Sequence, residues 1–516
     1  MRYEPHTFGS DDTDAAGDTD PDEIAQLLAA AGGDTTAGGG ALADAMVRTG
    51  PDPDAVPAAE HDTAEDLAAL REVEAQLDQR WPETRIEPSL DRIRALCDVL
   101  GEPQRSYPVI HIAGTNGKSS VTRMIDALLT RIGPRTGRYT SPHLQRVTER
   151  IALDGRPISA RRYVETWQEI APYVGVVDRA RDGVDGVHCS KFEVLTAMAF
   201  AAFADAPVDV GVIETGLGGS WDATNVADAA VAAITPIGLD HQDYLGSDIL
   251  GIAREKAGII KPGSVALLAQ QTPEVAQALL ERAVAVDAEV ARSGIEFGVL
   301  ERSVAVGGQQ LRLQGLGGEY DDIYLPLFGE HQAGNAALAL AAVEAFFGAG
   351  SSRRLDLEAV RDAFAAVRVP GRLERLRSAP TVVVDAAHNP HGAAAAAAAV
   401  KEEFSFRRLV GVVAIMGDKD AEGILAALEP ILDEVVVTGM SSPRAMDPDR
   451  LGALAVARFG SERVVVETRM DAALETAISM SEETSDDGAT AGGGVLVIGS
   501  VVAAGEARTL LGREPA

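Results

Sequence analysis

One segment of the sequence has the residue types of a phosphate-binding loop. It reads Gly114-Thr115-Asn116-Gly117-Lys118-Ser119-Ser120. Glycines let backbone N–H groups turn toward phosphate oxygens, a lysine can bridge the β- and γ-phosphates of a nucleotide, and a serine hydroxyl can reach Mg²⁺. Lys118 and Ser119 are the candidates for the last two roles. The strict Gly-x-x-x-x-Gly-Lys-Ser spacing is not met, because position 112 is Ile. A glycine-rich turn that binds nothing is therefore the alternative.

Other candidates are polar residues that follow two apolar segments. Glu214 comes directly after residues 208–213, and the pair Asp240-His241 follows residues 230–235 after a short connection. If both segments are parallel strands, their carboxyl ends lie at the sheet edge where α/β proteins bind ligands. Because Mg²⁺ prefers oxygen ligands, Glu214 is the first candidate for a metal ligand. A solvated glutamate and a structural histidine are the alternatives.

A predicted helix further along the chain carries Glu255 and Lys256 and ends at Gly258. The spacing of these two residues is compatible with exposed charges on a helix surface. The loop around Lys118 by itself indicates only a bound nucleotide, so kinases, GTPases and ligases all remain open at this point.

The elements that must position these residues alternate along the chain. Val109–Ala113 is short, β-branched and followed by the glycine-rich loop, which predicts a buried strand, and an apolar-periodic helix comes next. Later strand candidates are residues 208–213, 230–235, 265–269, 382–385, 409–415, 434–438, 463–467 and 495–499. Helical stretches separate most of them, and this alternation predicts an α/β fold with parallel sheets covered by helices.

Two segments depart from the alternation. Residues 297–327 hold short β-type runs between glycines, which predicts a small β-rich insertion. Residues 368–372 read Arg-Val-Pro-Gly-Arg and precede a new series of strands. The predicted domain boundary lies there.

The composition restricts the partners. The chain has 516 residues with 78 acidic side chains against 46 lysines and arginines, a net charge of −32. This balance argues against nucleic-acid binding and against docking on an anionic membrane, and no apolar run predicts a membrane span. The two cysteines, Cys97 and Cys189, do not form a disulfide framework. We expect a soluble cytoplasmic protein with reduced thiols.

The first 62 residues differ from the rest of the chain. They hold 14 acidic residues and two arginines, a composition that cannot bury enough apolar surface to offset chain entropy. We expect residues 1–62 to be a largely disordered extension with a short helix near 21–31. A solubilising tail is the simplest role, and a partner-binding tail is the alternative.

Twelve segments match one family in order over about residues 65–516. They are residues 111–120, 140–144, 149–151, 192–196, 214–219, 221–225, 238–241, 255–261, 331–335, 370–372, 385–390 and 418–420. The ordered set resembles the folylpolyglutamate synthase/dihydrofolate synthase family of the Mur ligase superfamily. Gly-Leu-Asp-His at 238–241 and Asp-Ala-Ala-His-Asn-Pro at 385–390 favour the folate branch over the cell-wall branch.

The resemblance implies an ATP-dependent ligase that joins L-glutamate to a pteroate or folate, with both dihydrofolate synthase and folylpolyglutamate synthase activity. The carboxylate of the pterin substrate would attack the γ-phosphate of ATP, and the amine of glutamate would then displace phosphate from the acyl phosphate. Two cations and Lys118 would offset charge on the transferring phosphoryl group. A P-loop kinase or NTPase is the alternative, but it leaves Glu214, His241 and Asp385 without a role.

The resemblance also implies metal and catalytic residues. Ser119 and Ser141 would bind a first Mg²⁺ together with Glu214, and Glu214 and His241 would bind a second. Lys256 matches a lysine that is carbamylated in the family, which converts an ammonium into a group with oxygen ligands. Lys118, Glu214, His241 and Lys256 are the expected catalytic residues.

Further positions match substrate contacts of the family. The loop residues 114–119 would contact ATP, as would Asn335, Arg372, Asp385 and His388. The expected pterin contacts are Phe192, Glu193, Trp221, Asp222 and Ala223. Asp385 would accept hydrogen bonds from the ribose, and Arg372 would reach phosphate as the domains close. Ser220 stands where the family pattern has a basic residue, so one cationic contact to substrate or phosphate is expected to be missing.

The implied architecture is Mur-ligase-like α/β. After the acidic extension, a P-loop ATP-binding domain with a mainly parallel sheet would cover residues 63–369. A smaller Rossmann-like domain without a dinucleotide fingerprint would cover residues 370–516. The active site would lie in the cleft between them, and we expect a monomer.

Overall fold

The computed structural model describes residues 62–82, 87–348, 354–482 and 492–515. The expected disorder of the acidic extension and its short helix near 21–31 lie outside the described residues, apart from position 62. Asp62 is hydrogen-bonded: its carboxylate accepts from Arg146 Nη1 at 3.0 Å and from the backbone N–H of Ala160 at 2.7 Å. Asp62 therefore belongs to the folded part of the chain, unlike the expectation for this last residue of the extension.

The first sheet has eight strands in the order β4-β3-β2-β5-β1-β6-β7-β8. They are β1 Val109–Ala113, β2 Thr136–Tyr139, β3 Ile151–Leu153, β4 Arg156–Pro157, β5 Val210–Glu214, β6 Ala229–Ile234, β7 Val265–Leu268 and β8 Glu289–Arg292. Six neighbouring strands are parallel, namely β2, β5, β1, β6, β7 and β8. Strands β3 and β4 form an antiparallel edge. β1 is buried at all five positions, as expected for a central strand covered on both faces.

The register of the first sheet brings the candidate residues together. Ile112 of β1 pairs with Glu214 of β5, and Ala113 pairs with Ile234 of β6. Because the three strands are parallel, the loops that follow them leave the sheet at one edge. The glycine-rich loop after β1 thus lies between the segments that carry Glu214 and His241.

Two further sheets complete the fold. An antiparallel sheet in the order β11-β10-β9 consists of β9 Gly298–Ala305, β10 Gly308–Gln314 and β11 Glu319–Leu325. The third sheet has the order β12-β13-β17-β14-β15-β16, with β12 antiparallel to an otherwise parallel set. Its strands are β12 Glu374–Ser378, β13 Thr381–Val384, β14 Arg408–Val413, β15 Glu434–Val437, β16 Val464–Val466 and β17 Gly493–Ile498.

Helices cover the parallel sheets. Those preceding β12 are Ala64–Leu77, Asp91–Val99, Lys118–Ile132, Ala160–Asp182, Lys191–Asp205, Gln242–Leu245, Ile249–Lys256, Pro273–Ala285, Glu330–Phe346 and Leu357–Ala366. Those that follow are Pro390–Glu403, Ala421–Leu428, Pro448–Phe459, Met470–Glu482 and Val501–Leu510. Aliphatic side chains from both faces of each parallel sheet form the core. Within the described ranges, no helix has both the length and the apolar character that crossing a bilayer requires.

The α/β fold class, all nine predicted strands and the small β-rich insertion are confirmed. The sequence did not predict β2, whose residues Thr-Gly-Arg-Tyr lack an apolar run. Arg138 is nevertheless buried in this strand because its guanidinium pairs with Asp126 at 2.7 Å. A charged residue in a central strand is tolerated when a partner from the neighbouring helix neutralises it. Composition alone does not reveal such a partner.

Candidate active site

The two glycines of the phosphate-loop candidate are required by geometry. Gly114 and Gly117 have φ angles of 145° and 91°, a backbone region that side chains disfavour. A Cβ atom on Gly114 would lie 1.8 Å from Thr235 Oγ1, and one on Gly117 would lie 2.7 Å from Asn335 Oδ1. The loop therefore packs directly against the end of β6 and against the buried Asn335.

The polar residues of the loop fix its conformation. Thr115 Oγ1 donates to Gly238 O at 2.9 Å and accepts from Gly238 N at 3.0 Å, which links the loop to the segment preceding His241. Lys118 begins a helix, and its Nζ donates to Thr115 O at 3.2 Å. The N–H groups at the helix start and the lysine ammonium together give the loop a positive potential that suits phosphates.

Glu214 lies at the edge of this loop and is only 1% exposed. Its Oε1 accepts from Ser119 Oγ at 2.9 Å, and the nearby backbone N–H of Ser141 lowers the pKa of the same carboxyl. Its Oε2 has no hydrogen-bond partner among the described residues. Burial raises the pKa of Glu214, and the charge of Lys118 and the Ser119 hydrogen bond oppose that shift. Carboxylate and hydroxyl oxygens are ligands that Mg²⁺ prefers, so this donor set fits the ion.

Asp240 is a buried carboxylate that joins the first and third sheets. Its Oδ1 accepts from Lys419 Nζ at 2.7 Å, and each side chain is 8% exposed. His388 Nε2 lies 3.5 Å from its Oδ2. Burial alone would raise the pKa of Asp240, but the hydrogen bond from His388 and the charge of Lys419 outweigh burial and hold the pKa well below its usual range.

An amide pair strengthens the same junction. Asn116 Nδ2 donates to Asn389 Oδ1 at 3.2 Å, and Asn389 Nδ2 donates back to Asn116 Oδ1 at 3.1 Å. Asn389 Nδ2 also donates to Asp240 Oδ2 at 2.9 Å. Asn389 is the N-cap of the helix Pro390–Glu403. The phosphate-loop candidate is therefore hydrogen-bonded to a helix start of the third sheet.

His241 lies in this junction, next to Asp240 and His388. The ligating atoms of Asp240, His241 and His388 all lie within 4.8 Å of one another. Burial lowers the pKa of His241 to about 3, so the imidazole is neutral near pH 7 and its ring nitrogens can bind a metal. Glu214 does not belong to this cluster. A cation shared by Glu214 and His241 stays a prediction.

Lys256 is buried at the end of the helix Ile249–Lys256. Burial lowers the pKa of its ammonium to about 7, and the nearby charge of Lys118 acts in the same direction. Glu255 Oε1 accepts from the backbone N–H groups of Gly219 and Trp221 at 3.2 and 3.3 Å. The structure thus rejects the alternative in which both residues are exposed helix charges.

A cavity of about 430 Å³ opens between the carboxyl edges of the first and third sheets. All five expected pterin contacts line it, namely Phe192, Glu193, Trp221, Asp222 and Ala223. Ser141, His241 and His388 also line it. Residues that are distant in sequence thus share one cavity wall.

Two of these lining residues already have protein partners. The carboxylate of Glu193 accepts from Arg92 Nε at 3.1 Å and from the backbone N–H of Ser190 at 2.7 Å. Asp222 accepts from the backbone N–H of Leu217 at 2.7 Å and from Thr224. Their carboxylates therefore shape the wall, while Phe192, Trp221 and Ala223 provide apolar surface.

The expected ATP contacts outside the loop surround it from both sheets. Asp385 follows β13, is 6% exposed, and accepts from the backbone N–H groups of Leu373 and Ala387 at 3.0 and 2.8 Å. Burial raises the pKa of Asp385, and the charge of Arg372 opposes that shift. Arg372 also lowers the pKa of Glu214. Arg372 therefore lies within electrostatic range of both sheets.

Ser220 does not line the 430 Å³ cavity. Its hydroxyl donates to Glu255 O at 3.1 Å, and its backbone N–H donates to the same carbonyl at 3.0 Å. The side chain faces a separate pocket that contains Arg254 and Lys261. The expectation that Ser220 removes a cationic contact from the substrate cavity is therefore not supported, because position 220 faces away from it.

Sequence reasoning assigned no role to several residues of the junction. Asp240, Asn389 and Lys419 fall within matched segments, but each segment was assigned through a neighbouring residue. Arg150 and Ser500 also line the cavity, and Arg150 Nε donates to His143 Nδ1 at 3.0 Å. The matched segments were a signal for these residues, but they do not identify Asp240 and Lys419 as partners across 179 positions.

Family models match two parts of the chain. The Mur ligase middle domain matches residues 181–343, and the glutamate ligase domain of Mur ligases matches residues 371–501. The dihydrofolate synthase/folylpolyglutamate synthase of Mycobacterium tuberculosis is 60% identical over 467 residues, which are 88% of this chain and 96% of that protein. The enzyme of the same name from Escherichia coli is 32% identical over 71% of this chain and 81% of its own length.

A solved structure is similar over the same extent. The Mycobacterium tuberculosis folylpolyglutamate synthase complexed with ADP superimposes with a TM-score of 0.84 and 59% sequence identity. The match covers 87% of this chain and 100% of that chain.

The ion pair between Asp240 and Lys419 should stabilise the fold measurably. Lys419→Met leaves a buried carboxylate without its cation, and we expect it to lower the free energy of unfolding by about 3 kcal/mol. A double-mutant cycle with Asp240→Asn, measured by urea unfolding, should give a coupling of at least about 1.5 kcal/mol. The exposed pair Arg131–Asp362 is the matched control and should couple by less than about 1 kcal/mol. Equal coupling in the two pairs would contradict the assignment.

Lys256 should destabilise the fold in a pH-dependent way. Its pKa falls from 10.5 to about 7 on folding, so the unfolded chain binds more protons between these values and stability rises with pH across that interval. In buffer depleted of CO₂, Lys256→Met should therefore unfold at a higher temperature than the natural chain at pH 7. The gain should be at most about 4 kcal/mol and should shrink as the pH approaches 10. A gain independent of pH would refute the assignment.

Proposed function

This chain belongs to the dihydrofolate synthase/folylpolyglutamate synthase family of the Mur ligase superfamily, and we propose how its cleft performs the family reaction. The chain is an ATP-dependent ligase that joins L-glutamate to a folate carboxylate. The observation that carries the assignment of residues is the junction itself. Ser119 and Glu214 are hydrogen-bonded at the edge of the first sheet, the charge of Arg372 acts on Glu214, and His388 lies 3.5 Å from Asp240.

In the first step, the carboxylate of the pterin substrate attacks the γ-phosphorus of ATP. A carboxylate oxygen–phosphorus bond forms, the bond to the β,γ-bridging oxygen breaks, and ADP leaves. Lys118 and the N–H groups of residues 114–119 offset the negative charge that builds on the phosphoryl group. Arg372 offsets the same charge from the side of the third sheet, and Asn335 packs directly against Gly117 of the loop.

In the second step, the amine of L-glutamate attacks the acyl carbon. The tetrahedral intermediate collapses, phosphate leaves, and an amide bond remains after the nitrogen loses a proton. Water would hydrolyse the acyl phosphate if it entered the cleft. The bonds of Asp240 with Lys419 and of Asn116 with Asn389 hold the two sheets against each other. These contacts therefore help to exclude water from the acyl phosphate, and they also position the residues of the two sheets around it.

We assign Mg²⁺ to Ser119, Ser141 and Glu214, and a second Mg²⁺ to Glu214 and His241. The donor set supports the first site, because Glu214 Oε2 is buried without a partner among the described residues and the Ser119 hydroxyl is adjacent. Bound Mg²⁺ would offset charge on the phosphates. The neutral imidazole of His241 is compatible with the second site.

We assign a carbamate to Lys256. Only a neutral amine reacts with CO₂, and burial lowers the pKa of Lys256 to about 7, so a large fraction of the amine is neutral at that pH. The nearby ammonium of Lys118 would then pair with the carbamate anion instead of opposing a like charge. Carbamylation would thus remove an unfavourable buried charge.

We propose that the pterin ring occupies the apolar part of the cavity. We propose that Phe192, Trp221 and Ala223 contact it, while Glu193 and Asp222 keep the wall in place through their own partners. The cavity of about 430 Å³ is lined from both sheets. We propose that it accepts dihydropteroate as well as reduced folates, so that the chain has both activities. Asp385 and His388 complete the nucleotide contacts.

We also propose a division of the chain into domains. We propose an ATP-binding domain over 63–369, a Rossmann-like domain over 370–516, and an acidic extension over 1–62 outside the catalytic core. The matched family segments at 181–343 and 371–501 fall on either side of the proposed boundary. We further propose that the chain acts in the cytoplasm as a monomer, on small molecules and not on nucleic acids or membranes.

A product assay tests the proposed reaction. The chain is incubated with ATP and labelled glutamate, and dihydropteroate and tetrahydrofolate are offered separately. Both should yield labelled product, and Lys118→Ala should reduce the rate at least about 1000-fold because it removes the main phosphate contact. Lys401→Ala, which changes an exposed lysine, is the control and should retain full activity. ATP turnover that glutamate does not affect would favour a kinase or NTPase instead.

The carbamate can be detected without an activity assay. In buffer with ¹³C-bicarbonate at pH 8, the chain should show a carbamate carbon signal by NMR, and Lys256→Met should lose it. Lowering the pH to 6 should weaken the signal, because the amine is then largely protonated. A signal that persists in Lys256→Met would refute the assignment.

A further inference from the structure

A second pocket lies on the outer side of the segment that forms the wall of the cavity. It has a volume of about 340 Å³ and is separate from the cavity between the sheets. Four cationic side chains line it, namely Arg94, Arg254, Lys261 and Arg282, together with Ser220 and Asn225. No carboxylate is among its lining residues. We call it the arginine pocket. Such a concentration of positive charge is unusual in a chain whose net charge is −32.

Two of the four cations are already used by the protein. Lys261 Nζ donates to Asn225 O at 2.7 Å and pairs with the exposed Asp228 at 3.2 Å. Arg282 donates through Nε and Nη2 to Ile260 O at 3.2 and 3.0 Å. These bonds fix the floor of the pocket and leave its positive charge only partly neutralised.

The other two cations have no protein partner in the described part of the chain. Arg94 on the helix Asp91–Val99 and Arg254 on the helix Ile249–Lys256 make no side-chain hydrogen bond or ion pair there, and both are exposed. Each guanidinium has five N–H donors in a planar fork that matches carboxylate and phosphate oxygens. The pocket thus presents two guanidinium groups, from different helices, that have no partner among the described residues.

The electrostatics of Lys261 are consistent with a positive pocket. Burial is the main cause that lowers its pKa, Asp228 opposes the shift, and the charges of Arg94 and Arg105 lower the pKa further. Grouping like charges in one concave site is unfavourable unless an anion neutralises them. The lining also provides the Ser220 hydroxyl, whose oxygen can accept or donate a hydrogen bond.

We propose that the arginine pocket binds a small oxyanion with two or more negative charges, held by Arg94 and Arg254 over the floor formed by Lys261 and Arg282. The volume suits a small molecule and not a macromolecule. Phosphate-type and polycarboxylate ligands share this chemistry. This inference does not rest on the proposed function, because it concerns a separate pocket and its test measures binding.

The pocket wall connects to the helix that carries Lys256. Asn225 Nδ2 donates to Ser220 O at 3.0 Å and to Gly258 O at 3.3 Å, and Ser220 bonds to Glu255 O. A ligand that immobilises Ser220 therefore acts on the backbone next to Lys256.

Isothermal titration calorimetry on the full chain tests the proposal. The nucleotide site is first saturated with ADP, and pyrophosphate or free tri-γ-glutamate is then titrated in separate experiments, which distinguishes the two ligand types. At least one should bind. Arg94→Gln/Arg254→Gln should weaken that binding at least about tenfold, since it removes the charge-assisted hydrogen bonds of both guanidinium groups. Higher salt should also weaken it.

Arg71→Gln/Arg458→Gln is the matched control, because it removes two exposed arginines outside the pocket. It should leave the affinity unchanged. Thermal unfolding of both double variants should match that of the natural chain, since all four side chains are exposed. Absence of binding by both anions, or equal binding by the natural chain and Arg94→Gln/Arg254→Gln, would overturn the proposal.

Discussion

The buried carboxylate of Asp240 is the interaction on which the closed cleft depends. A carboxylate with 8% exposure is unfavourable unless it is paired, and its partners Lys419, His388 and Asn389 come from the other sheet. The two sheets must therefore approach each other before Asp240 is satisfied. The same approach brings Arg372 within range of Glu214. One electrostatic requirement thus couples the packing of two sheets to the assembly of a site.

Burial also sets the protonation of the reacting groups. It raises the pKa of Glu214 and Asp385 and lowers the pKa of His241 and Lys256. Each shift favours the neutral form, because a low-dielectric environment disfavours charge. When a bound cation or phosphate keeps one of these groups ionised, the attraction between the two charges is stronger there than in water. Charged ligands can therefore stabilise the ionised forms of these buried groups, as water does for exposed groups.

The segment from Glu214 to Asn225 separates two electrostatic environments. Its inner side presents Trp221 and Ala223 to the cavity, and its outer side presents Ser220 and Asn225 to the arginine pocket. Close packing makes this separation rigid: a Cβ on Gly219 would lie 2.6 Å from Glu255 O. The backbone of the wall therefore packs directly against the end of the helix that carries Lys256, with no room for a side chain between them.

The sequence by itself determined the α/β class, the nine predicted strands and the glycine-rich loop between a strand and a helix. Local patterns suffice for these because strand burial, helix periodicity and glycine conformations are properties of short segments. It also indicated the cavity-lining residues through an ordered set of motifs. Only the tertiary structure decided that Asp240 pairs with Lys419, that Lys256 is buried, and that Ser220 faces a different pocket. Those facts depend on which charges meet across two sheets, and pairing over 179 positions leaves no periodic trace in the chain.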